Sequence, residues 1–196
     1  MMQPDLHVEV EKLRAWLTTN RWVDHYDRWW STDGVVGALQ NFLAQVRSED
    51  WTDDDVTALL YVLEQSSTDY IAEMVAERET DALAIAKHSI ERGGIAGQDI
   101  AAQLRHCVGQ RDEAEALLIV FAQDDFEYTR RIALLALAEM QSPAVQALAV
   151  TAWNTGDLHA RIGALSALKT IGSALLPQFI LLAQEDGREQ LIAMAR

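Results

Sequence analysis

Arg131-Ile132-Ala133-Leu134-Leu135-Ala136-Leu137-Ala138 recurs 30 residues later as Arg161-Ile162-Gly163-Ala164-Leu165-Ser166-Ala167-Leu168. Arg, Ile and the central Leu coincide, and the other paired positions are small or apolar. Asp124 and Asp125 precede the first copy and Asp157 the second, and each copy leads into another apolar stretch. Ser142-Pro143 pairs an N-cap hydroxyl with a proline at the first helical position, which predicts a helix from there to about Trp153. After Gly172 ends its predecessor, the next helix runs from near Ser173 to about Gln184. Pro177 falls in its first turn, where a missing N–H costs little. A partial third copy begins at Asp186-Gly187-Arg188 and reads as a terminal cap with Leu191-Ile192-Ala193-Met194 as its apolar face. Helix pairs at a fixed period mark an architecture in which each pair buries its apolar face against its neighbours.

The same rhythm continues upstream with a weaker signature. Residues 99–107 and 113–122 read as one pair, and residues 69–76 and 81–91 as another, ended by Gly93-Gly94. The helix from Thr52 to Glu64 opens with Thr52 and Asp55 in capping-box spacing and carries the stripe Val56, Leu59, Leu60 and Leu63. Before it stand helices over 6–17, 21–30 and 35–46. About eleven helices and no convincing strand result. Composition agrees, because 53 of the 196 residues are Ala or Leu, against 10 Gly and 3 Pro. The predicted fold is all-α: a right-handed α-solenoid of antiparallel helix pairs in one domain over 1–196. Within it, residues 1–66 are divergent, 67–126 loosely repetitive and 127–196 the clearest repeats.

No apolar run approaches the roughly 20 residues of a membrane span. The opening residues, Met1 to Lys12, lack a basic segment followed by an apolar one. With Cys107 as the one cysteine, the expected setting is reducing and cytoplasmic, without a membrane. The net charge of −14 lies in the first two thirds: residues 1–66 and 67–126 carry −7 each, and residues 127–196 carry none. That distribution offers no basic face for nucleic acid. A partner steered by charge would be basic; acidity that only keeps an Ala/Leu-rich chain dissolved is the plainer reading.

The aligned stretches, together with the acidic turn and the second apolar helix of each pair, resemble HEAT-type repeats. The last residues, 181–195, resemble the ends of small bacterial HEAT-like proteins. The resemblance implies a protein-binding scaffold that grips its partner on the concave surface lined by the second helices. It also implies a locking role for Arg131 and Arg161, which in such repeats bond an Asp or a carbonyl of the neighbouring turn. Asp125 and Asp157 are the natural partners, a ligand contact is the alternative, and Arg130 is left to face solvent as a candidate partner-binding residue. Asp introduced at Leu135 or Leu165 would place an unpaired charge between helices and unfold the stack.

Trp22, Tyr26, Trp29 and Trp30 can share one face of a short helix. They read either as a cap sealing the first repeat or as a partner-binding hot spot, and Trp16 and Trp51 could join either. Glu49, Asp50, Asp53, Asp54 and Asp55 lack calcium-loop spacing; they read as capping and solvated charge, with contact to a basic partner or a cation as alternatives. His106-Cys107 has no further ligand at metal spacing and reads as an exposed His beside a buried Cys. No catalytic constellation, metal site, phosphate loop or cofactor signature is found, so an enzyme is not expected. The leading reading is a non-enzymatic module for one protein partner. A sharper version is an immunity- or antitoxin-like neutraliser of a basic toxin. HEAT-like DNA glycosylases and bilin lyases are remote alternatives.

Overall fold

The computed structural model describes residues 5–19, 34–66 and 69–196. Among them are twelve α-helices and no strand, so the predicted all-α class holds. The helices are α1 (Leu6–Thr19), α2 (Val35–Gln45), α3 (Asp53–Gln65), α4 (Tyr70–Ala76), α5 (Glu79–Arg92), α6 (Ala96–Gln103), α7 (Arg111–Phe121), α8 (Glu127–Glu139), α9 (Val145–Asn154), α10 (Leu158–Thr170), α11 (Leu176–Asp186) and α12 (Glu189–Met194). The helix predicted over 21–30, with Trp22, Tyr26, Trp29 and Trp30, lies outside the described residues. No helix among the described residues is long and apolar enough to cross a membrane. The chain divides into two units, Met1–Ile100 and Ala101–Arg196, with the boundary inside α6.

In the first unit α3 is central, packing on α1, α4 and α5. Its predicted stripe, Val56, Leu59, Leu60 and Leu63, is buried throughout. The predicted capping box is present: the Thr52 hydroxyl accepts the Asp55 N–H at 3.2 Å, and Asp55 Oδ2 accepts the Thr52 N–H at 2.8 Å. The box satisfies two N–H groups that the helix itself leaves without partners. Leu6, Val10 and Leu13 of α1 and Leu39 and Leu43 of α2 are buried too, as α1 packs on α2 and α3.

The second unit repeats with a pitch of 31 residues. Helices α8, α10 and α12 begin at Glu127, Leu158 and Glu189, and α9 and α11 at Val145 and Leu176. Both α8 and α10 end in a Schellman turn. Ser142 N–H donates to Leu137 O and Ser173 N–H to Leu168 O, and the left-handed position is filled by Gln141 (φ 56°) and Gly172 (φ 62°). Each serine hydroxyl then accepts an N–H two residues on, from Ala144 at 3.1 Å and Leu175 at 3.2 Å. Ser142 is therefore a turn residue, and α9 starts at Val145, two positions later than the Ser142-Pro143 signal suggests. The same hydroxyls donate to the preceding second helix, Ser142 to Glu115 Oε1 at 2.7 Å and Ser173 to Gln146 Oε1 at 3.0 Å. Glu115 and Gln146 are themselves 31 residues apart.

A pitch of 31 moves the alignment of Arg131 on Arg161 by one residue, and one residue turns a helix by about 100°. Arg161 corresponds to Arg130, and Leu165 to Leu134. Burial follows this register: Ala133, Leu134, Ala136 and Leu137 match Ala164, Leu165, Ala167 and Leu168, all at most 2% exposed. Leu135 is only half-buried, at the position of half-buried Ser166. Leu134→Asp and Leu165→Asp are each expected to cost about 4 kcal/mol or more, against about 1–2 kcal/mol for Leu135→Asp. Urea denaturation followed by circular dichroism measures the difference. Equal losses at 134 and 135 would return the register to 30.

Candidate functional site

In the second unit the arginines of α8 and α10 have distinct tasks. Arg130 Nη1 donates to the carbonyls of Asp124 and Asp125, at 2.7 and 2.8 Å, and so holds the turn before its own helix. It is half-buried and engaged, and does not stand free in solvent as the repeat pattern suggests. Its counterpart Arg161 donates through Nε to Trp153 O at 3.0 Å, lies 5.0 Å over the Trp153 ring, and pairs through Nη1 with Asp186. The expected link to Asp157 is replaced by Asp186, because Asp157 is used as the N-cap of α10 and accepts the Ala160 N–H at 2.9 Å. Asp186 is shared with Arg188, whose Nη2 also reaches Gly156 O at 3.2 Å. The hydrogen bonds from Arg188 and Arg161 hold the Asp186 carboxyl well below the usual carboxylate range.

Arg131 bonds Glu127 at 3.0 Å, one helical turn back, instead of Asp125, and its guanidinium lies 5.1 Å over the Tyr128 ring. Its stem crosses α10 at Gly163, where an added Cβ would stand 2.8 Å from Arg131 Cγ. Glycine is thus the residue that lets α10 approach this arginine.

A cavity of about 170 Å³ opens beside these residues. Leu134, Leu148, Ala152 and Ala160 supply apolar lining, and Glu127, Arg130 and Arg131 supply charge. Near it Glu127, Asp157 and His159 each offer one atom within 4.8 Å of the others, and no other such group of three is found among the described residues. Both carboxylates already have donors, Arg131 for Glu127 and the Ala160 N–H for Asp157. A cation here would compete with a guanidinium and with the positive end of α10. The hydrogen bond from Ala160 keeps the Asp157 carboxyl below its ordinary value.

The acids of residues 49–55 spread over three tasks. Asp53 pairs with Arg92 at 3.1 Å, Asp50 and Asp54 are exposed, and Asp55 is buried in the capping box. Asp55 Oδ1 also lies 2.8 Å from His7 Nε2, which fastens α1 to the start of α3. Burial pushes the Asp55 carboxyl up, but the bonds from Thr52 and His7 outweigh it and hold it below the usual range. Asp99 is shifted the other way, raised by burial and by Asp69. Trp51 stacks at a tilt on Phe42, ring centres 6.3 Å apart, with its indole N–H buried and no partner among the described residues. Cys107 is buried and His106 exposed, as the sequence suggested.

A second recess, of about 320 Å³, lies in the first unit. It is lined by Gln40, Leu43 and Ala44 of α2, Met74 of α4, Glu77 and Arg78 in the following turn, and Asp81 of α5. Asp81 is 2% exposed and ion-paired with Arg78. Sequence alone does not single out this pair, although Arg78 is the one basic residue between Arg47 and Lys87 and stands three positions before an acid.

The chain matches no protein-family model, no curated protein and no solved structure.

Two outcomes follow from this geometry. Asp55 contributes stability that is present above the unfolded carboxylate value near 4 and is lost as pH falls through its lower folded value. Asp55→Asn is expected to cost about 1–2 kcal/mol at pH 7 and to flatten the acid limb of a melting-temperature profile. Parallel profiles for the two proteins would exclude that role. Gly163→Ala is expected to cost about 1–3 kcal/mol, and part of the loss should disappear in an Arg131→Ala background, as a double-mutant cycle would show.

Proposed function

We propose that the chain is a non-enzymatic, HEAT-like helical-repeat module that binds a basic protein partner. The observation that carries the reading is the uneven charge. Residues 1–100 hold 8 Lys and Arg against 19 Asp and Glu, a balance of −11, whereas residues 101–196 hold 8 against 11, a balance of −3. Asp50, Asp53, Asp54, Glu73, Glu77 and Glu91 are exposed in the first unit, so much of its excess charge faces solvent and draws cationic surfaces.

The 31-residue pitch supports the repeat part of the proposal. Turns, serine struts and arginine anchors recur together, as expected of helix pairs that stack as an α-solenoid. In this reading the partner lies along the second helices of the pairs, on the concave face of the stack. Leu181 of α11, one of these second helices, is a large apolar side chain 59% exposed.

The test is affinity purification on the full chain from its native host, at low and at high salt, with mass spectrometry of what is retained. The expected result is one stoichiometric basic protein that is lost as salt rises. Retention of nucleic acid, of an acidic protein or of nothing would overturn the reading.

A further inference from the structure

The recess of the first unit has an unequal demand for hydrogen bonds. Asp81 Oδ2 takes both Arg78 nitrogens, Nε at 2.6 Å and Nη2 at 2.5 Å. Oδ1 has the Thr80 hydroxyl at 3.5 Å, the outer limit of a hydrogen bond. An ionised carboxylate accommodates about four donors, and a buried one left short of them is costly. Arg78 is not free to correct this, because its Nη2 also donates to Val46 O at 3.0 Å. An incoming donor would meet that demand.

Charge and shape narrow what the donor can be. Glu77 and Asp81 against Arg78 leave the recess with one uncompensated negative charge. A single cation neutralises it, an anion doubles it, and a neutral guest leaves it standing. Leu43, Ala44 and Met74 offer an apolar wall beside the charged side, which suits a long methylene stem with a cationic head. A cavity of roughly 150 Å³ holds a benzene ring, so a recess of about 320 Å³ has room for an arginine side chain.

We infer that this recess captures an arginine or lysine side chain of the basic partner, its stem on Leu43, Ala44 and Met74 and its head against Glu77 and Asp81. The inference rests on the basic-partner reading and narrows it to one point of attachment.

The test titrates the full chain, carrying labelled Leu and Met methyl groups, with N-acetyl-arginine methylamide, its lysine counterpart and the neutral citrulline counterpart. The cationic probes are expected to shift the Leu43 and Met74 methyl signals, with weak affinity that falls as salt rises, and citrulline is not. Glu77 is exposed, so Glu77→Gln should keep the fold and weaken the cationic probes about fivefold. Asp81→Asn, checked for an intact methyl spectrum, should weaken them further. Equal shifts from citrulline, an unchanged response in Glu77→Gln, or shifts confined to other signals would overturn the inference. Repeating the host purification with Glu77→Gln separates the two readings. A salt-sensitive basic partner retained equally by both chains sinks the recess alone, whereas absence of any basic partner sinks the reading beneath it.

Discussion

The turn that closes each first helix of the second unit sets the terms for everything packed there. A left-handed residue at Gln141 or Gly172 reverses the chain, and the serine after it bonds forward to its own turn and back to Glu115 or Gln146. Those two serines fix where each second helix starts and which earlier helix it is tied to. Once the turns stand 31 residues apart, the buried faces of α8 and α10 must correspond at the same interval. That is why Leu134 and Leu165 share a role and Leu135 does not.

Small residues make the packing between those helices possible. Ala133, Ala136, Ala164 and Ala167 are fully or almost fully buried, and Gly163 leaves room for the Arg131 stem. Close helices then put the arginine heads next to one another's turns. Arg130 and Arg161 bind carbonyls in the turns before their own helices or at the end of the preceding helix, and Arg161 reaches on to Asp186 in the last turn of the following helix. These arginines are framework residues whose positive charge is consumed inside the unit. The acidic excess of the first unit is different in kind, since much of it remains on the surface.

What could be read early came from patterns that act locally. The capping box at Thr52 and Asp55, the stripe on α3 and the chain reversal at Gly172 each depend on residues within about one helical turn, and each appears as read. The repeat was legible and its register was not. Arg131 and Arg161 are 30 residues apart and Ser142 and Ser173 are 31 apart, and similarity of side chains favoured the first pair. The turns decide for the second, because a left-handed turn position cannot shift, whereas a run of small and apolar residues aligns almost as well when moved by one. Arg78 and Asp81 are not legible for a similar reason: nothing in their spacing shows that α2 and α4 enclose them in a recess.

The amino-acid sequence by itself determined the all-helical class, the approximate helix boundaries and the placement of negative charge, since propensity, capping and composition act without reference to distant residues. Tertiary structure alone decided the pitch, the carbonyls and acids chosen by each arginine, and the burial of Asp55 and Asp81. Those choices depend on which helices meet, and a carboxylate is buried only where packing brings it a donor.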